Sequence, residues 1–364
     1  MRVLVAPDSF GTLTAGQAAD AIRTGWLLHA PNDEVLTAPM SDGGPGFCDV
    51  VHRAVGGRLS AVTVCGPYGE QQPATVLRVG DTAYVEGAQA CGLDLVSTGR
   101  RDAEVASSYG AGQLVASAIE TGATQVVVGL AGCGTNDAGA GLLAALGAAA
   151  DPPSALRGGP TGLATLTAVD LGPVRERVAG IGLVAAGDVD NPLLGLRGTT
   201  SVFGAGRGIA RERLSIVDSA LARLAERTSP KTAAVPGAGA AGGLGFALLL
   251  LGARRESAID LIAGLVTLEE LAGRVDLVIT GEASFDVQSR AGTVPYGVAQ
   301  VAQRRLRPCI ALAGAVLIGA REMRTMGIES AYSVAELVGR DAWSADPDGS
   351  LAALAARVAR TWSQ

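Results

Sequence analysis

The amino-acid sequence predicts an α/β fold in two domains, on three observations. Its 364 residues exceed the usual size of one domain, about 150 residues. Apolar residues make up 48% of the chain and charged residues 18%, which supplies a packed core and excludes a disordered chain. Short apolar segments alternate with segments of helical spacing at both chain ends, and this alternation is typical of a parallel sheet covered by helices.

The first 55 residues contain two strand–loop–helix units. Either Thr12 or Thr14 can cap the first helix, because a threonine side chain accepts a hydrogen bond from a free backbone N–H of the first turn. The predicted elements are a strand at 2–6, a helix at 14–29, a strand at 34–38 and a helix that ends near residue 55.

The C-terminal part repeats this pattern, and the middle of the chain differs from both ends. In the middle we predict antiparallel strands at 61–64, 74–79 and 83–86, then a helix at 109–120, a strand at 125–129 and a helix at 139–149. Near the C-terminus we predict strands at 277–280, 309–312 and 328–334 and helices at 296–305, 321–325 and 351–362. We therefore expect residues 1–66 and 286–364 to form one discontinuous α/β domain, into which residues 67–285 are inserted as a second α/β domain.

Composition limits the classes of partner. The net charge of −6, without a run of five like charges, argues against nucleic-acid binding, which needs a basic patch. The longest apolar run, at 246–251, is too short to span a bilayer, and the first residues do not resemble a signal peptide. Five scattered cysteines and two histidines, without a CxxC pair, argue against structural zinc. We expect a cytoplasmic protein with reduced thiols and no membrane partner; a homo-oligomer stays open.

Six segments that mostly follow predicted strands carry acidic or glycine-rich residues, and ligands of parallel α/β sheets bind at such strand ends. Each segment has a structural alternative, such as a helix cap for the first or a plain turn for the second. The third is the strongest, because glycines and polar side chains converge there at the start of a helix. The six segments are residues 8–12, 41–46, 129–141, 186–192, 236–243 and 280–289.

The fifth segment matches G-x-G-x-x-G at Gly237, Gly239 and Gly242. A dinucleotide-binding interpretation needs a clear strand before it, and the preceding residues 232–235 are few and interrupted by Pro236. A P-loop motif and a G-x-S-x-G elbow are absent, and two histidines leave little room for a Ser-His-Asp triad. The sequence motifs therefore favour a polar site that attracts anions over these well-known alternatives.

The six segments, in this order, resemble the class I glycerate kinases. That family shows D-S-F-K-G-S/T-L, A-D-G-G-E-G, G-G-S-A-T-N-D-G-G-A-G, D-V-x-N-P-L, P-G-A-G-A-A-G-G-L-G and T-G-E-G-x-x-D-x-Q-T segments, and residues 236–245 match without change. The resemblance extends from residue 1 to about residue 362. It implies a Rossmann/flavodoxin-like parallel-sheet domain built from both chain ends plus an inserted α/β domain. It also implies Mg²⁺-dependent transfer of the γ-phosphoryl group of ATP to a hydroxyl of D-glycerate, giving 2-phosphoglycerate.

Loop position then assigns hypothetical roles within this reaction. One carboxylate is needed as a base for the substrate hydroxyl, and others can hold Mg²⁺ directly or through water. The predicted catalytic residues are Asp188 and, second, Asp42; substrate-binding residues are Asp8, Ser9, Gly43, Gly44, Asn136, Asp137 and Asn191; nucleotide-binding residues are Gly132, Gly134, Gly237, Gly239, Gly242, Glu282, Gln288 and Arg290; metal ligands are Asp188 and Asp286.

The departures from the family pattern concern positive charge. The family lysine after Phe10 is absent, and Gly292 leads straight to Thr293, where the family has another lysine. Arg290 lies near the second position, whereas the only lysine, Lys231, lies outside all six segments. Two further hypotheses therefore stay open: a catalytically impaired family member that binds a hydroxy acid or nucleotide as a regulatory protein, and a nicotinamide-dependent oxidoreductase.

Overall fold

The structure is a computed structural model that describes residues 1–290 and 292–363, with the side chains of Gln288 and Arg290 left out. Its strands are β1 (Arg2–Val5), β2 (Glu34–Thr37), β3 (Arg58–Cys65), β4 (Gln71–Val79), β5 (Thr82–Glu86), β6 (Gln125–Gly129), β7 (Ala149–Asp151), β8 (Ala168–Asp170), β9 (Gly182–Ala186), β10 (Arg254–Glu256), β11 (Leu277–Phe285), β12 (Cys309–Val316) and β13 (Ser330–Ser333).

The α-helices follow the same chain order. They are α1 (Ala15–His29), α2 (Phe47–Val55), α3 (Ala88–Cys91), α4 (Tyr109–Glu120), α5 (Ala140–Ala145), α6 (Gly159–Leu163), α7 (Gly172–Arg177), α8 (Thr199–Phe203), α9 (Leu214–Thr228), α10 (Pro230–Ala233), α11 (Leu244–Leu250), α12 (Ala258–Leu265), α13 (Leu268–Gly273), α14 (Val294–Arg304), α15 (Ala320–Thr325), α16 (Val334–Val338), α17 (Arg340–Ala345) and α18 (Pro347–Trp362). In the described ranges, none of these helices combines the length and apolar character that crossing a membrane requires.

The chain forms two compact units. Unit 1 contains residues 1–42, 49–55 and 258 onward, and unit 2 contains residues 43–48 and 56–257. The sequence-based boundaries differ, because they put residues 258–285 in the inserted domain and residues 56–66 outside it. The strand partners explain the difference: β11 pairs with β1 in unit 1, and β3 pairs with β4 in unit 2.

Unit 1 is built on a five-stranded sheet in the order β13-β12-β11-β1-β2, and all its strand pairs are parallel. Helices α1 and α18 pack together over a core that contains residues of β1, β11 and β12. A Cβ at Gly25 would lie only 1.9 Å from the Ala352 carbonyl oxygen, so glycine permits the close approach of these two helices. Thr14, one of the two threonines predicted as the cap of α1, forms a capping box with Gln17.

Unit 2 is built on a six-stranded sheet in the order β10-β9-β6-β5-β4-β3. Strand β4 is antiparallel to both of its neighbours, β3 and β5, and β5, β6, β9 and β10 are parallel. The core of this unit is composed mainly of Ala, Val and Leu side chains, as the low aromatic content implies. The predicted fold class, α/β with a parallel sheet in one domain and a second α/β domain, is confirmed.

Two element boundaries that affect the site differ from the sequence prediction. Strand β11 does not end at Thr280 but continues to Phe285, because its pairing with β12 extends to Phe285 opposite Val316. The helix predicted at 139–149 is the shorter α5, and residues 149–151 form β7 instead.

Candidate functional site

An acidic cluster, defined here as Asp8, Asp42 and Glu282, lies in unit 1 beyond the carboxyl ends of β1 and β2 and beside the neighbouring part of β11. Asp8 follows β1, Asp42 follows β2, and Glu282 lies in the extension of β11, beside β1. The backbone N–H of Asp8 donates to the carbonyl oxygen of Gly281 at 2.8 Å, which fixes the height of Asp8 against β11.

The carboxyl of Asp8 is held in a setting that disfavours its charge. Burial raises the pKa of Asp8 well above its ordinary value, and the negative charges of Asp42 and then Glu282 raise it further. The backbone N–H of Ser9, which donates to Asp8 Oδ1 at 2.7 Å, opposes this rise. The three carboxylates therefore interact electrostatically as one group.

Glu282 carries a proton to nearly neutral pH. Burial raises its pKa to about 7, the charges of Asp286 and Asp42 add to the rise, and a hydrogen bond from Ser289 opposes it. The Ser289 hydroxyl donates to Glu282 Oε1 at 2.6 Å and accepts from the backbone N–H of Asp286 at 3.0 Å. A carboxyl with this pKa can both accept and release a proton under physiological conditions.

The acidic cluster is suited to a cation but does not form a complete metal cage. Among the described residues, no group of three or more His, Cys, Asp or Glu side chains is arranged to hold a metal ion by itself. Mg²⁺ typically binds through one or two carboxylates and takes its other ligands from phosphate and water. Charge crowding at Asp8, Asp42 and Glu282 therefore fits a cation that arrives with an anionic ligand.

In unit 2, the parallel strands end level with one another. The register places Glu86 of β5 opposite Gly129 of β6, Gly129 opposite Ala186 of β9, and Ala186 opposite Glu256 of β10. The segments 129–141 and 186–192 therefore leave the sheet side by side, as their positions in the sequence predict. Asp188 lies half-buried two residues beyond the end of β9.

Glu86 is a buried carboxylate that the sequence analysis passed over. Only 4% of its surface is exposed, and its Oε2 accepts a hydrogen bond from the backbone N–H of Gly46 at 3.1 Å. The carbonyl oxygen of Gly43 accepts from Ala131 at 3.2 Å. The glycine-rich turn at 43–46, with Gly43 and Gly44 buried, is thus held against the loop that follows β6.

Asp137 is completely buried and anchors the start of α5. Its Oδ2 accepts hydrogen bonds from Ser108 N at 2.8 Å, Ser108 Oγ at 2.9 Å and Gly141 N at 3.1 Å, and its Oδ1 accepts from Gly139 N at 3.0 Å. Burial raises its pKa, while these hydrogen bonds lower it. Its four partners all belong to the protein, which gives Asp137 a structural task.

Asn136 and Asn191 also have partners within unit 2. Asn136 is fully buried; its Nδ2 donates to Thr200 Oγ1 at 2.9 Å, and its Oδ1 accepts from Arg207 at 3.1 Å. Asn191 Nδ2 donates to the carbonyl oxygen of Arg197 at 2.7 Å. These side chains therefore hold loops in place, and Asn191 stays partly accessible to a ligand.

The glycines of segment 236–243 permit chain segments to pack closely. A Cβ at Gly242, where φ is +69°, would lie 1.8 Å from the Thr135 carbonyl oxygen, and one at Gly239 would lie 2.3 Å from the Pro192 carbonyl oxygen. The three loops that contain Thr135, Pro192 and Gly242 are therefore packed backbone against backbone. The element before this segment is the helix α10, not the strand that a dinucleotide fingerprint requires.

Other predicted nucleotide-binding positions lie in different settings. Gly132 has a left-handed backbone with φ of +74°, and a Cβ there would lie 2.7 Å from the ring of Pro45. Gly134 donates to the carbonyl oxygen of Cys91 at 2.6 Å. Both belong to the loop after β6. The side chains of Gln288 and Arg290 lie outside the described part of the chain.

The fold and the site together define a class of protein: an α/β enzyme whose parallel strands end in carboxylates and glycine-rich loops that suit a small polar or phosphorylated substrate. The family model of the "Glycerate kinase family" matches residues 3–363, which is nearly the whole chain. The chain belongs to the glycerate kinase family, and its catalytic class is therefore that of a kinase.

Individual relatives agree with this assignment. The chain is 36% identical to glycerate 2-kinase of Escherichia coli over 349 residues, which cover 93% of this chain and 92% of that protein. It is 37% identical to glycerate kinase of Bacillus subtilis over 344 residues, with 92% and 90% of the two chains covered. A crystal structure from Salmonella typhimurium LT2, of a protein proposed to be glycerate kinase 2, superposes with a TM-score of 0.78 at 33% identity and covers 100% of this chain and 98% of its own.

Sequence reasoning missed Glu86, Ser289 and Arg207 as members of the polar sites. Glu86 ends a predicted strand, which is the same signal that selected the six segments, so this residue could have been found. Ser289 was the last residue of the sixth segment but received no role. Arg207 follows glycine and alanine in a loop outside all six segments, and only tertiary contacts distinguish it from a surface arginine.

Proposed function

We propose that the protein transfers the γ-phosphoryl group of ATP to a hydroxyl of D-glycerate and yields 2-phosphoglycerate in a Mg²⁺-dependent reaction. Membership in the glycerate kinase family supports phosphorylation of glycerate, and the relative in Escherichia coli is named a glycerate 2-kinase. The single structural observation that carries the proposal is the acidic cluster, because phosphoryl transfer depends on charge neutralisation and on positioning of the attacking hydroxyl.

Three carboxylates are candidates for the base that accepts the hydroxyl proton. Asp188 and Asp42 are proposed from loop position, and Glu282 is added here because its pKa of about 7 lets it exchange a proton at neutral pH. The Ser289 hydroxyl donates to Oε1 of Glu282, so Oε2 is the oxygen that we propose for the substrate hydroxyl. The remaining carboxylates would then stay ionised and attract cations.

Mg²⁺ binding is proposed for Asp286 and the acidic cluster in unit 1, and Asp188, in unit 2, is proposed separately as a metal ligand. Bound Mg²⁺ would supply positive charge to the phosphates of ATP. Asp286 lies close enough to Glu282 for its charge to raise the pKa of Glu282. A cation bound there would lower that pKa and so coordinate proton acceptance with the arrival of the nucleotide.

A catalytically impaired family member is the second candidate, and one observation favours it. The turn after β1 is closed by reciprocal backbone hydrogen bonds between Phe10 and Leu13, at 2.9 and 3.0 Å, and it presents Gly11 and Thr12 where the family has a lysine. This turn therefore contributes no positive charge to a phosphate. In that case the protein would bind a hydroxy acid or nucleotide without turnover.

The decisive experiment follows ADP release by the purified protein with ATP, Mg²⁺ and D-glycerate. We expect release that depends on D-glycerate and stops when EDTA removes Mg²⁺, and ³¹P NMR should identify 2-phosphoglycerate as the product. Absence of glycerate-dependent release would refute kinase activity, and a rise in melting temperature on addition of ATP or D-glycerate would then support the binding protein.

Single substitutions test the proposed base. Asp188→Asn, Asp42→Asn and Glu282→Gln each remove one carboxylate at nearly constant volume, and loss of general base catalysis typically costs about 10²- to 10⁴-fold in rate. Turnover that stays near normal in one variant removes that residue from the role of base. An exposed carboxylate, Asp341, supplies the matched control D341N, which should retain wild-type turnover.

A further inference from the structure

Unit 2 contains a buried arginine, Arg207, that forms no ion pair with any residue the structure describes. Arg207 ends the short turn Ala205–Arg207 after α8, and 7% of its surface is exposed. Among the described residues, the ion pairs of the chain do not include Arg207. Burying a charge without a counter-ion costs free energy, and a bound anion would reduce that cost.

All hydrogen-bond acceptors around Arg207 are neutral. Its Nη1 donates to Thr199 Oγ1 at 2.9 Å and to Asn136 Oδ1 at 3.1 Å, and its Nε donates to the Cys133 carbonyl oxygen at 3.3 Å. Its Nη2 makes no hydrogen bond within the described residues. Burial lowers the pKa of Arg207 to about 10, which still leaves the guanidinium charged at neutral pH.

The Cys133 thiol beside Arg207 does not supply a negative charge. A hydrogen bond with Cys91, together with burial, raises the pKa of Cys133 well above its ordinary value, so the Cys133 thiol stays neutral. Both cysteines are buried, and Cys91 Sγ donates to the carbonyl oxygen of Gly87 at 3.2 Å. The side chain of Cys133 is therefore an uncharged neighbour of the guanidinium.

The same region has more hydrogen-bond donors than acceptors. The hydroxyls of Thr199 and Thr200 both accept hydrogen bonds, from Arg207 and Asn136, so each still has its own proton to donate. The buried Thr135 Oγ1, next to Asn136 in the chain, has no hydrogen-bond partner among the described residues. The hydroxyls of Thr135, Thr199 and Thr200 and the guanidinium Nη2 can therefore each donate a hydrogen bond to a ligand.

We propose that Arg207, with the hydroxyls of Thr135, Thr199 and Thr200, forms an oxyanion subsite that binds a carboxylate or phosphate group. The planar guanidinium suits such an oxyanion, because two of its N–H groups can donate in parallel to two oxygens. The inference rests on the proposed function for the source of the anion, which is the carboxylate of D-glycerate or a phosphate of ATP.

Ligand-induced thermal shifts test this subsite without requiring turnover. Inorganic phosphate, D-glycerate and ATP are each titrated against the full-length protein and against Arg207→Gln, with the melting temperature as readout. The matched control is Arg211→Gln, at an exposed arginine of the next turn, Arg211–Arg213. We expect Arg207→Gln to weaken binding of the relevant anion about ten- to hundredfold, as loss of a charged hydrogen bond predicts, and the control to bind normally.

The pattern of losses identifies the anion. Loss of the D-glycerate shift with the ATP shift intact assigns the subsite to the substrate carboxylate, and the reverse pattern assigns it to a nucleotide phosphate. Unchanged affinities for all three ligands in Arg207→Gln overturn the proposal, as does a wild-type protein that none of the three stabilises. If the wild type binds an anion through Arg207 but does not turn over glycerate, the proposed function fails while the subsite stands.

Arg207→Lys covers the case in which Arg207→Gln does not fold. Lysine keeps the charge but has no planar pair of donors, so we expect a folded enzyme whose KM for the ligand bound there rises about tenfold while kcat changes less. Equal KM values in Arg207→Lys and the wild type would refute oxyanion binding by the guanidinium and leave Arg207 with a purely structural role.

Discussion

Substitution of Asp137, in the glycine-rich loop after β6, tests whether its carboxylate binds a substrate or stabilises the fold. Asp137→Ala removes the acceptor of four hydrogen bonds at 2.8 to 3.1 Å in a fully buried position. Each buried donor that loses its partner costs about 1–3 kcal/mol, so the substitution should cost about 4 kcal/mol or more. Since whole domains are stable by only about 5–15 kcal/mol, this loss is a large share of the total.

The measurement is thermal unfolding by calorimetry and chemical unfolding in urea. A loss of about 4 kcal/mol corresponds to a melting temperature lower by about 8–16 °C for a unit of about 200 residues. Asp190→Ala is the matched control, because Asp190 is an exposed aspartate whose ion pair with Arg255 should contribute about 1 kcal/mol or less. Asp137→Asn should fall between the two, since its amide retains one oxygen but adds two donors.

The opposite result would refute this reasoning. If Asp137→Ala melts within about 2 °C of the wild type, which is about 1 kcal/mol or less, the hydrogen bonds do not carry the stability assigned to them. If it also loses turnover, Asp137 acts on the substrate, as the sequence-based prediction states.

Three further predictions concern the acidic cluster and one glycine. Glu282 keeps its proton to about pH 7 in the folded protein against 4.5 ordinarily, so stability should fall as pH rises between these values, and Glu282→Gln should flatten the fall in melting temperature. Ser289→Ala removes the hydrogen bond that lowers the pKa of Glu282, so the rising limb of the kcat–pH profile should move to higher pH, whereas exposed Ser284→Ala should leave it unchanged. Gly242→Ala places a Cβ 1.8 Å from a backbone carbonyl oxygen at positive φ, so it should lower the free energy of unfolding in urea by about 2–5 kcal/mol. The control Gly195→Ala, in open space at φ of +85°, should lower it by about 1–2 kcal/mol.

Each of these predictions has a contradicting outcome. The same pH dependence of melting in Glu282→Gln and the wild type would place the titrating group elsewhere. A profile for Ser289→Ala that coincides with the wild type would separate Ser289 from the kinetic pKa. Equal unfolding midpoints for the two glycine variants would show that the segments around Gly242 relax at little cost.

Local signals in the sequence were sufficient for much of the fold. Strand β6 and helix α4 begin and end where their apolar spacing predicts. The sequence offered Thr12 or Thr14 as the cap of α1, and the capping box with Gln17 selects Thr14. The antiparallel arrangement of β3, β4 and β5 followed from short apolar runs joined by turns. These features depend on residues close together in the chain.

The candidate site was only partly accessible to such reasoning. The sequence marked Asp8, Asp42 and Glu282 as separate loop residues, and only the strand order β11-β1-β2 gathers them into one cluster. It treated Asn136 and Asp137 as ligand-binding residues because polar side chains at a helix start commonly are. Their burial and internal hydrogen bonds depend on Ser108, Thr200 and Arg207, which lie far away in the chain.

The sequence by itself determined the α/β class and the family resemblance, and it supplied the six segments on which the site predictions rest, because periodicity and local motifs are properties of neighbouring residues. Tertiary structure alone decided that β11 runs on to Phe285, since that extension exists through pairing with β12. It also decided that Arg207 is buried and that Glu282 keeps a proton to about pH 7. Burial and electrostatic coupling arise between residues distant in the chain, so no local pattern encodes them.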